Sequence, residues 1–202
     1  MSEPDGTPSG PAVRLRAVEA VTDDWFALRK YHVEHTRRDG AVEQITRFSL
    51  HRGDRAAVLL HSPRCDTVVL TRQFRLPALL DGRPDGALPE LPGGLLDGAD
   101  AQQAVRREAE EETGFRVRAL RFAYTVYLSP QLSRERTHLF TGEYDPADRT
   151  GPGGGLADEG EEIEVLQLSP EKAFAMATSE GPADAKTLLM LQLLKLRDRG
   201  QA

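Results

Sequence analysis

Apolar and polar positions alternate along residues 25–51, and a short polar stretch at 37–40 divides the alternation into two halves. Phe26, Leu28 and Val33 are apolar positions of the first half. Alternation with a period of two residues is typical of a strand that buries one face. Asp-Gly between two such segments is a hairpin-turn signal. The pattern therefore predicts a β-hairpin near the N-terminus.

Short apolar runs separated by Gly and Pro divide the rest of the chain into strands and helices. Five such runs predict strands, at residues 55–62, 67–76, 116–129, 136–145 and 161–168. An opening Ser-Pro pair and a strong apolar stripe predict two helices, at 169–179 and 182–199. Clustered Gly and Pro predict a loop at 77–89 and a flexible one at 149–162. The order of elements predicts a mixed α/β domain with an N-terminal β appendage.

A third helix is predicted at residues 101–113, after a short strand and a glycine loop in "ELPGGLLDG". Gly114 directly after it is typical of a helix stop. Small apolar residues recur within it at helical spacing, at Ala101, Ala104, Val105 and Ala109.

The composition is that of a globular protein, with 39% hydrophobic and 29% charged residues. Its 202 residues suffice for one sizeable domain, or for a domain with a small appendage. A net charge of -6 does not suit a protein that coats nucleic acid. A small polyanionic substrate would need a cation or a local Arg cluster to receive it. The single cysteine excludes an internal disulfide framework and a cysteine-built zinc site.

Residues 1–11 are rich in Pro, Gly and Ser, which predicts a disordered N-terminus. This stretch lacks the apolar core of a signal peptide, and no apolar run of the sequence is long enough to span a bilayer. We therefore expect a cytoplasmic protein that has neither a membrane nor a nucleic acid as its partner.

Carboxylates crowd one face of the helix at 101–113. Glu108, Glu111 and Glu112 stand at positions i, i+3 and i+4, which share a face, whereas Glu110 points away. Like charges at this spacing repel each other, and a hard divalent cation that prefers oxygen ligands would offset the repulsion. The alternative from this run alone is an ordinary solvated acidic face.

The glycine loop, the acidic helix and Gly114 together resemble the Nudix box. That motif is a Gly, five residues, a Glu, seven residues, and then Arg-Glu-apolar-x-Glu-Glu-x-Gly-apolar. Residues 107–115 fit the second half without a gap. In the first half, counted from Gly94, Asp100 stands where the Glu belongs, and only six residues separate it from Arg107. The same shortening occurs in the GDP-mannose hydrolase branch of the Nudix family.

The resemblance to this branch, and to the related ADP-ribose pyrophosphatases, extends over about residues 18–196. It includes "TVVLTRQFRL", "YLSPQLSRERTHLF" and "GGGLADEGEEIEVLQL". It implies a Nudix α/β/α sandwich with a mixed sheet and an N-terminal antiparallel β appendage. The expected organisation is a disordered segment at 1–11, a dimerisation hairpin at 12–52 and a Nudix hydrolase domain at 53–198.

The activity that the resemblance implies is hydrolysis of the pyrophosphate of a nucleoside diphosphate sugar by a homodimer. GDP-mannose, giving GMP and mannose 1-phosphate, is the first candidate, and ADP-ribose, giving AMP and ribose 5-phosphate, is the second. A different class is a Nudix module that binds nucleotide sugars without hydrolysing them, although the intact glutamates argue against it. A calcium-binding protein is disfavoured, because the chain has no loop of regularly spaced Asp and Asn.

The resemblance also implies a role for each residue of the box. Glu108 and Glu112 are expected to be the main ligands of Mg²⁺, with Mn²⁺ as the second candidate metal. The backbone carbonyl of Gly93 would lie beside them, and Glu111 would be an accessory ligand. Arg107 would orient the glutamates.

The general base is expected outside the box, on the loop "GPGGGLADEGEE". Glu159 is the first candidate, and Glu161 is the second, as a base or as a further metal ligand. The alternative is that both are ordinary loop acids.

Four residues are candidates for substrate binding. Arg75 would bind phosphate, and Arg72 would either do the same or form a surface ion pair. Trp25 would either stack on the nucleotide base across a dimer or belong to the core. Glu135 would contact the substrate or the metal, whereas His138, in a strand, is interpreted as structural.

Overall fold

The structure is a computed structural model that describes residues 12–156, 160–179 and 181–198. The described residues form two compact units. One contains residues 12–53 together with 129–135, and the other contains residues 54–128 together with 136–198.

The first unit is a three-stranded antiparallel sheet in the order β1-β2-β3. Its strands are β1 (Val13–Asp23), β2 (Ala27–Thr36) and β3 (Val42–His51). The predicted hairpin is the β2–β3 pair, and Gly40 adopts the positive φ of 86° that its turn requires. The prediction of a two-stranded hairpin was incomplete, because it missed β1. Two register shifts interrupt the pairing of β1 with β2, so its apolar positions change phase and the alternation is lost.

This three-stranded sheet has no interior of its own. No residue of β1, β2 or β3 is buried, and Phe48 and Val42 are exposed large apolar side chains. The loop at 129–135 joins the unit through Leu50, whose N–H donates to the carbonyl of Leu132 (2.8 Å) and whose carbonyl accepts from Arg134 (3.1 Å). The sheet therefore leaves apolar surface available for further packing.

The second unit is built on a seven-stranded mixed sheet with the central order β10-β5-β4-β9-β8. β6 pairs with β5, β7 pairs with β4, and the β4–β9 pair is parallel. The strands are β4 (Arg55–Ser62), β5 (Thr67–Phe74), β6 (Ala87–Glu90), β7 (Gly93–Leu95), β8 (Arg118–Tyr127), β9 (Arg136–Glu143) and β10 (Glu164–Leu168).

The described residues of the second unit also form four α-helices, namely α1 (Leu76–Leu80), α2 (Ala101–Thr113), α3 (Pro170–Ser179) and α4 (Ala185–Asp198). The prediction of a plain loop at 77–89 was wrong, since most of α1 and most of β6 lie in this segment. Its Pro and Gly residues start α1 and turn the chain into β6, which are roles that the same residues also have in loops. Within the described ranges, every helix is too short or too polar to cross a lipid bilayer.

Alternate residues of β4 face opposite layers of helices. Val58 and Leu60 pack into the cluster that includes Val105 and Ala109 of α2. Leu59, between them, packs into the cluster formed with α3 and α4. The predicted α/β/α sandwich with a mixed sheet is therefore confirmed, with α2 on one face and α3 and α4 on the other.

Candidate active site

The acidic helix α2 begins and ends as its sequence predicts. Asp100 is the N-cap, and its Oδ1 accepts a hydrogen bond of 2.9 Å from the N–H of Gln102. Gly114 is the C-cap with a φ of 73°, and its N–H donates to the carbonyl of Glu110 at 2.9 Å. The carboxylate that stands in the place of the first glutamate of the motif is thus engaged in starting the helix.

Glu112 is a buried carboxyl, with 3% of the residue exposed, on the edge of α2 that faces β7. Its Oε2 accepts a hydrogen bond of 3.0 Å from the N–H of Gly93. Burial, together with the charges of Glu108, Glu161 and Glu90, raises the pKa of Glu112 to about 8, although the hydrogen bond from Gly93 opposes the rise. This position therefore favours either a proton or a cation on the carboxylate.

Glu108 lies one turn before Glu112 and is held between an arginine and a glycine. Arg107 donates from Nη2 to Glu108 at 2.7 Å and from Nη1 to Glu111 at 2.9 Å. A Cβ on Gly94 would lie 2.4 Å from the carboxyl carbon of Glu108, so only glycine leaves room for this carboxylate. Burial raises the pKa of Glu108 despite Arg107, and the nearby acids Glu111 and Glu161 add to the rise.

The glycine segment, defined as residues 151–155, is docked on the C-terminal turn of α2. The N–H of Gly154 donates to the carbonyl of Glu112 at 2.8 Å, and the N–H of Gly155 to that of Glu111 at 3.3 Å. A Cβ on Gly153 would lie 2.6 Å from the carbonyl carbon of Thr113. These bonds satisfy carbonyls that a helix end leaves without partners. The start of the loop that was predicted to be flexible is thus bound to the acidic helix.

Glu161 follows the glycine segment and lies at the acidic face of α2, which is formed by Glu108, Glu111 and Glu112. Its Oε2 accepts from the N–H of Leu156 at 3.1 Å, and a Cβ on Gly155 would come within 2.5 Å of the same oxygen. Its charge is close enough to raise the pKa of both Glu108 and Glu112. Glu159, the first candidate for the base, lies outside the described residues.

Sequence reasoning missed a buried group of charges next to this site. Glu90, whose side chain is 8% exposed, accepts from Nε of Arg75 at 2.5 Å and from Nζ of Lys186 at 2.7 Å. Lys186 also donates to Asp184 at 2.9 Å. Burial would raise the pKa of Glu90, but Lys186 and Arg75 lower it to about 2. Glu90 stands in "ELPGG" just before the site, yet no spacing pattern joins it to a lysine 96 residues away.

The two candidate phosphate-binding arginines lie in different surroundings. Arg75 is the N-cap of α1 rather than a strand residue, and the charge of Glu112 acts on it. Arg72, in β5, pairs with Asp85 and, at 3.1 Å, with Glu164. This geometry favours the surface ion pair as the interpretation of Arg72.

Trp25 and Glu135 belong to the first unit. Trp25 is 67% exposed and is not part of a core, and the guanidinium of Arg52 lies 3.8 Å from its ring centroid. The backbone N–H of Glu135 donates to Oγ of Ser133 at 3.1 Å. In the second unit, His138 contacts Oγ1 of Thr125 through Nδ1 at 2.9 Å, in keeping with a structural role.

The carboxylates of the acidic face suit a hard divalent cation by their chemistry. Within residues 12–156, 160–179 and 181–198, no three His, Cys, Asp or Glu side chains are oriented so that they enclose a position for a metal ion. Protein donors occupy the carboxylates instead, with Arg107 on Glu108 and Gly93 on Glu112. The crowded charges that raise both pKa values are the feature that a cation would relieve. The residues therefore fit such a metal.

Comparison with known proteins agrees with the fold and with the motif. Residues 51–191 match the family model of the NUDIX domain. A GDP-mannose pyrophosphatase of Cronobacter sakazakii is 42% identical over 92% of this chain and 96% of its own length. A GDP-mannose pyrophosphatase of Pectobacterium atrosepticum is 41% identical over 85% of this chain and 88% of its own length.

The fold has a solved counterpart, described as an ADP compounds hydrolase. It superposes with a TM-score of 0.66 at 20% sequence identity, and the match covers 97% of this chain and 100% of that one. At this identity the likeness concerns the fold alone. The family model and the relatives show that the chain belongs to the Nudix hydrolase family.

Proposed function

We propose that the protein hydrolyses the pyrophosphate bond of a nucleoside diphosphate sugar, with GDP-mannose as the first candidate, to GMP and mannose 1-phosphate. The observation that carries the proposal is a pair of carboxyls with raised pKa values on α2. Glu112 is buried and Glu108 is half-buried. The substrate comes from the relatives, which are named GDP-mannose pyrophosphatases and are about 40% identical over most of the chain.

The proposed metal site consists of Glu108, Glu112 and the carbonyl of Gly93, with Glu111 and Glu161 as further oxygen donors. Nudix hydrolases use divalent metal ions, and we propose Mg²⁺, with Mn²⁺ as the second candidate. When bound, such an ion neutralises phosphate charge and acidifies the attacking water. The crowding of Glu108, Glu112 and Glu161 supports this assignment, because each carboxylate disfavours the charge of its neighbours.

Two arginines have different proposed roles, one on the carboxylates of the metal site and one on the phosphate of the substrate. Arg107 fixes Glu108 and Glu111 through its two Nη atoms, so the carboxylates keep their orientation. Arg75 is the proposed phosphate ligand, since its hydrogen bonds to the carboxylate of Glu90 fix its guanidinium where the charge of Glu112 acts on it. A guanidinium suits phosphate because it donates two parallel hydrogen bonds.

The loop acids are proposed to activate the water. Glu159 remains the predicted base, and the position of Glu161 supports its role as a metal ligand or an alternative base. For the other end of the substrate, we propose that Trp25 stacks on the nucleotide base and that Glu135 adds a polar contact. A homodimer in the cytoplasm is part of the same proposal.

A substrate panel tests the function. The purified protein is incubated with GDP-mannose, ADP-ribose, ADP-glucose and NADH, each with Mg²⁺ or Mn²⁺, and the products are separated by HPLC. We expect GMP and mannose 1-phosphate from GDP-mannose at a higher kcat/KM than any adenine compound gives. A preference for ADP-ribose would establish the second candidate. Binding without turnover of any compound would establish the non-catalytic class.

A further inference from the structure

Arg149 lies just before the glycine segment and joins it to the end of α2. Its Nε donates to the carbonyl of Gly151 at 3.0 Å, and its Nη2 donates to that of Pro152 at 2.6 Å. Its guanidinium carbon lies 5.3 Å from the ring centroid of Phe115, which is 1% exposed and follows the helix C-cap. The backbones of Arg149 and Phe115 also form an isolated antiparallel bridge. One side chain therefore contacts both the segment and the helix end.

Arg149 adds to the backbone hydrogen bonds that hold the glycine segment on α2, and a glycine-rich segment is costly to order. Glycine loses more conformational freedom on ordering than any other residue, and Pro152 has no N–H to donate. Backbone donors from Thr150, Gly154 and Gly155 tie the segment to carbonyls at the end of α2. Arg149 adds two charge-assisted hydrogen bonds at the start of the segment, which are stronger than neutral ones.

The segment in turn sets the position of Glu161. The backbones of Leu156 and Glu161 are linked, since the N–H of Glu161 donates to the carbonyl of Leu156 at 3.2 Å. The N–H of Leu156 binds the carboxylate of the same glutamate at 3.1 Å. Movement of residues 151–156 away from α2 would therefore carry this carboxylate away from Glu108 and Glu112.

We propose that Arg149 is a positioning residue of the metal site, which holds the glycine segment on α2 and thereby keeps Glu161 beside Glu108 and Glu112. This inference rests on the proposed function, because it concerns the same carboxylates. Arg149 itself touches neither metal nor substrate. The contrasting interpretation is that Arg149 only stabilises the surface around Phe115, without an effect on the acidic face.

The first measurement follows the docking of the segment without any metal. Hydrogen–deuterium exchange in EDTA-treated protein should show faster exchange at residues 150–156 in Arg149→Ala than in the wild type. The matched control is Arg116→Ala, since Arg116 is an exposed arginine next to Phe115. The control should exchange like the wild type. Equal protection of the segment in Arg149→Ala and in the wild type would overturn the inference.

The second measurement is direct binding of Mn²⁺, followed by electron paramagnetic resonance. Loss of a residue that orients metal ligands typically costs 10- to 100-fold in metal affinity, and we expect roughly 10-fold for Arg149→Ala. Arg149→Lys keeps a cation near Phe115 but lacks the paired N–H donors of the guanidinium, so its loss of Mn²⁺ affinity should be smaller than that of Arg149→Ala. If Arg149→Ala does not fold, Arg149→Lys decides, and wild-type affinity in that variant overturns the inference.

A double-mutant cycle separates positioning from a general loss of stability. Arg149→Ala should weaken Mn²⁺ binding in the wild type but add little in a Glu161→Gln background, because the two changes act through one carboxylate. An equal loss in both backgrounds would overturn the inference. Its failure is distinct from failure of the proposed function, in which the wild type itself neither binds Mn²⁺ nor hydrolyses a nucleotide sugar.

Discussion

Glu112 is a carboxyl whose surroundings disfavour its charge, because burial raises its pKa to about 8 from an ordinary value of 4.5. A carboxyl with a raised pKa favours folding at low pH, and this contribution is lost as the pH rises from 4.5 towards 8. Metal binding at the same carboxylate must displace a proton in this range. The residue that makes the site suitable for a cation thus makes the metal-free protein less stable at alkaline pH.

Glu112→Gln should therefore retain the fold and lose the metal response. The amide keeps an oxygen for the Gly93 N–H and removes the buried charge, so we expect an unchanged or higher Tm in EDTA at pH 8. The wild type should gain Tm on addition of Mg²⁺, more at pH 8 than at pH 5.5, whereas the variant should gain little. Wild-type turnover by the variant across a Mg²⁺ titration would show that Glu112 is not a metal ligand.

The surroundings of Glu90 favour its charged form, whereas those of Glu112 disfavour it. The pKa of Glu90, about 2, lies below the ordinary 4.5 despite burial, because Lys186 and Arg75 favour the charged form. A lowered pKa contributes stability above the unfolded value, and the contribution is lost as the pH falls from 4.5 towards 2. A shift of this size corresponds to about 3 kcal/mol at neutral pH.

Glu90→Gln should destabilise the protein by about 3 kcal/mol at pH 7, because the partly buried cations of Arg75 and Lys186 lose a buried carboxylate partner. Urea unfolding at pH 7 and pH 3 measures the effect, and the difference between the proteins should shrink at the lower pH. Arg72→Gln is the control, since its ion pairs are more exposed. An equal loss of stability in the control, or none in Glu90→Gln, would contradict the account of this buried group.

At the scale of elements, sequence patterns predict α2 because its capping residues, apolar stripe and acidic face all agree with one helix. They do not predict β1, since its register shifts break the alternation of apolar residues. They also do not predict α1 and β6, whose Pro and Gly residues are equally typical of a loop. The Glu90 group requires contacts between residues that are distant along the chain, and a single sequence contains no signal for such contacts.

The sequence between β9 and β10 contains the two candidate acids, Glu159 and Glu161, and two single substitutions separate their proposed roles. Glu159→Gln should lower kcat by roughly 10²-fold, in the range typical of a general base, and leave KM and metal affinity nearly unchanged. Glu161→Gln should weaken Mn²⁺ binding more than Glu159→Gln does, since Glu161 lies at the acidic face. Steady-state kinetics at saturating Mg²⁺ and direct Mn²⁺ titration provide the comparison. An inactive Glu161→Gln beside a nearly normal Glu159→Gln would reverse the assignment.

At the scale of the whole molecule, the second unit has a core on both faces of its sheet, whereas the sheet of the first unit has no buried residue. A small sheet needs an apolar face packed against another element to be stable. Phe48, Val42 and Trp25 are large apolar residues of this unit that remain exposed in the single chain. A second copy of the chain, paired through residues 20–50, would cover such a surface.

The protein should therefore be a homodimer at assay concentration, and Phe48→Asp should weaken the dimer by placing a charge in the apolar surface. Light scattering coupled to size exclusion measures the mass, and activity is recorded on the same fractions. Leu196→Asp is the matched control, because Leu196 is a similarly exposed apolar residue on α4, outside the proposed interface. If Trp25 contributes to a site shared by two copies, dilution of Phe48→Asp into the monomeric range should raise KM more than it lowers kcat. A wild-type monomer that is fully active would contradict both the dimer and the shared site, whereas an active dimer that Phe48→Asp leaves intact would place the interface elsewhere on the chain.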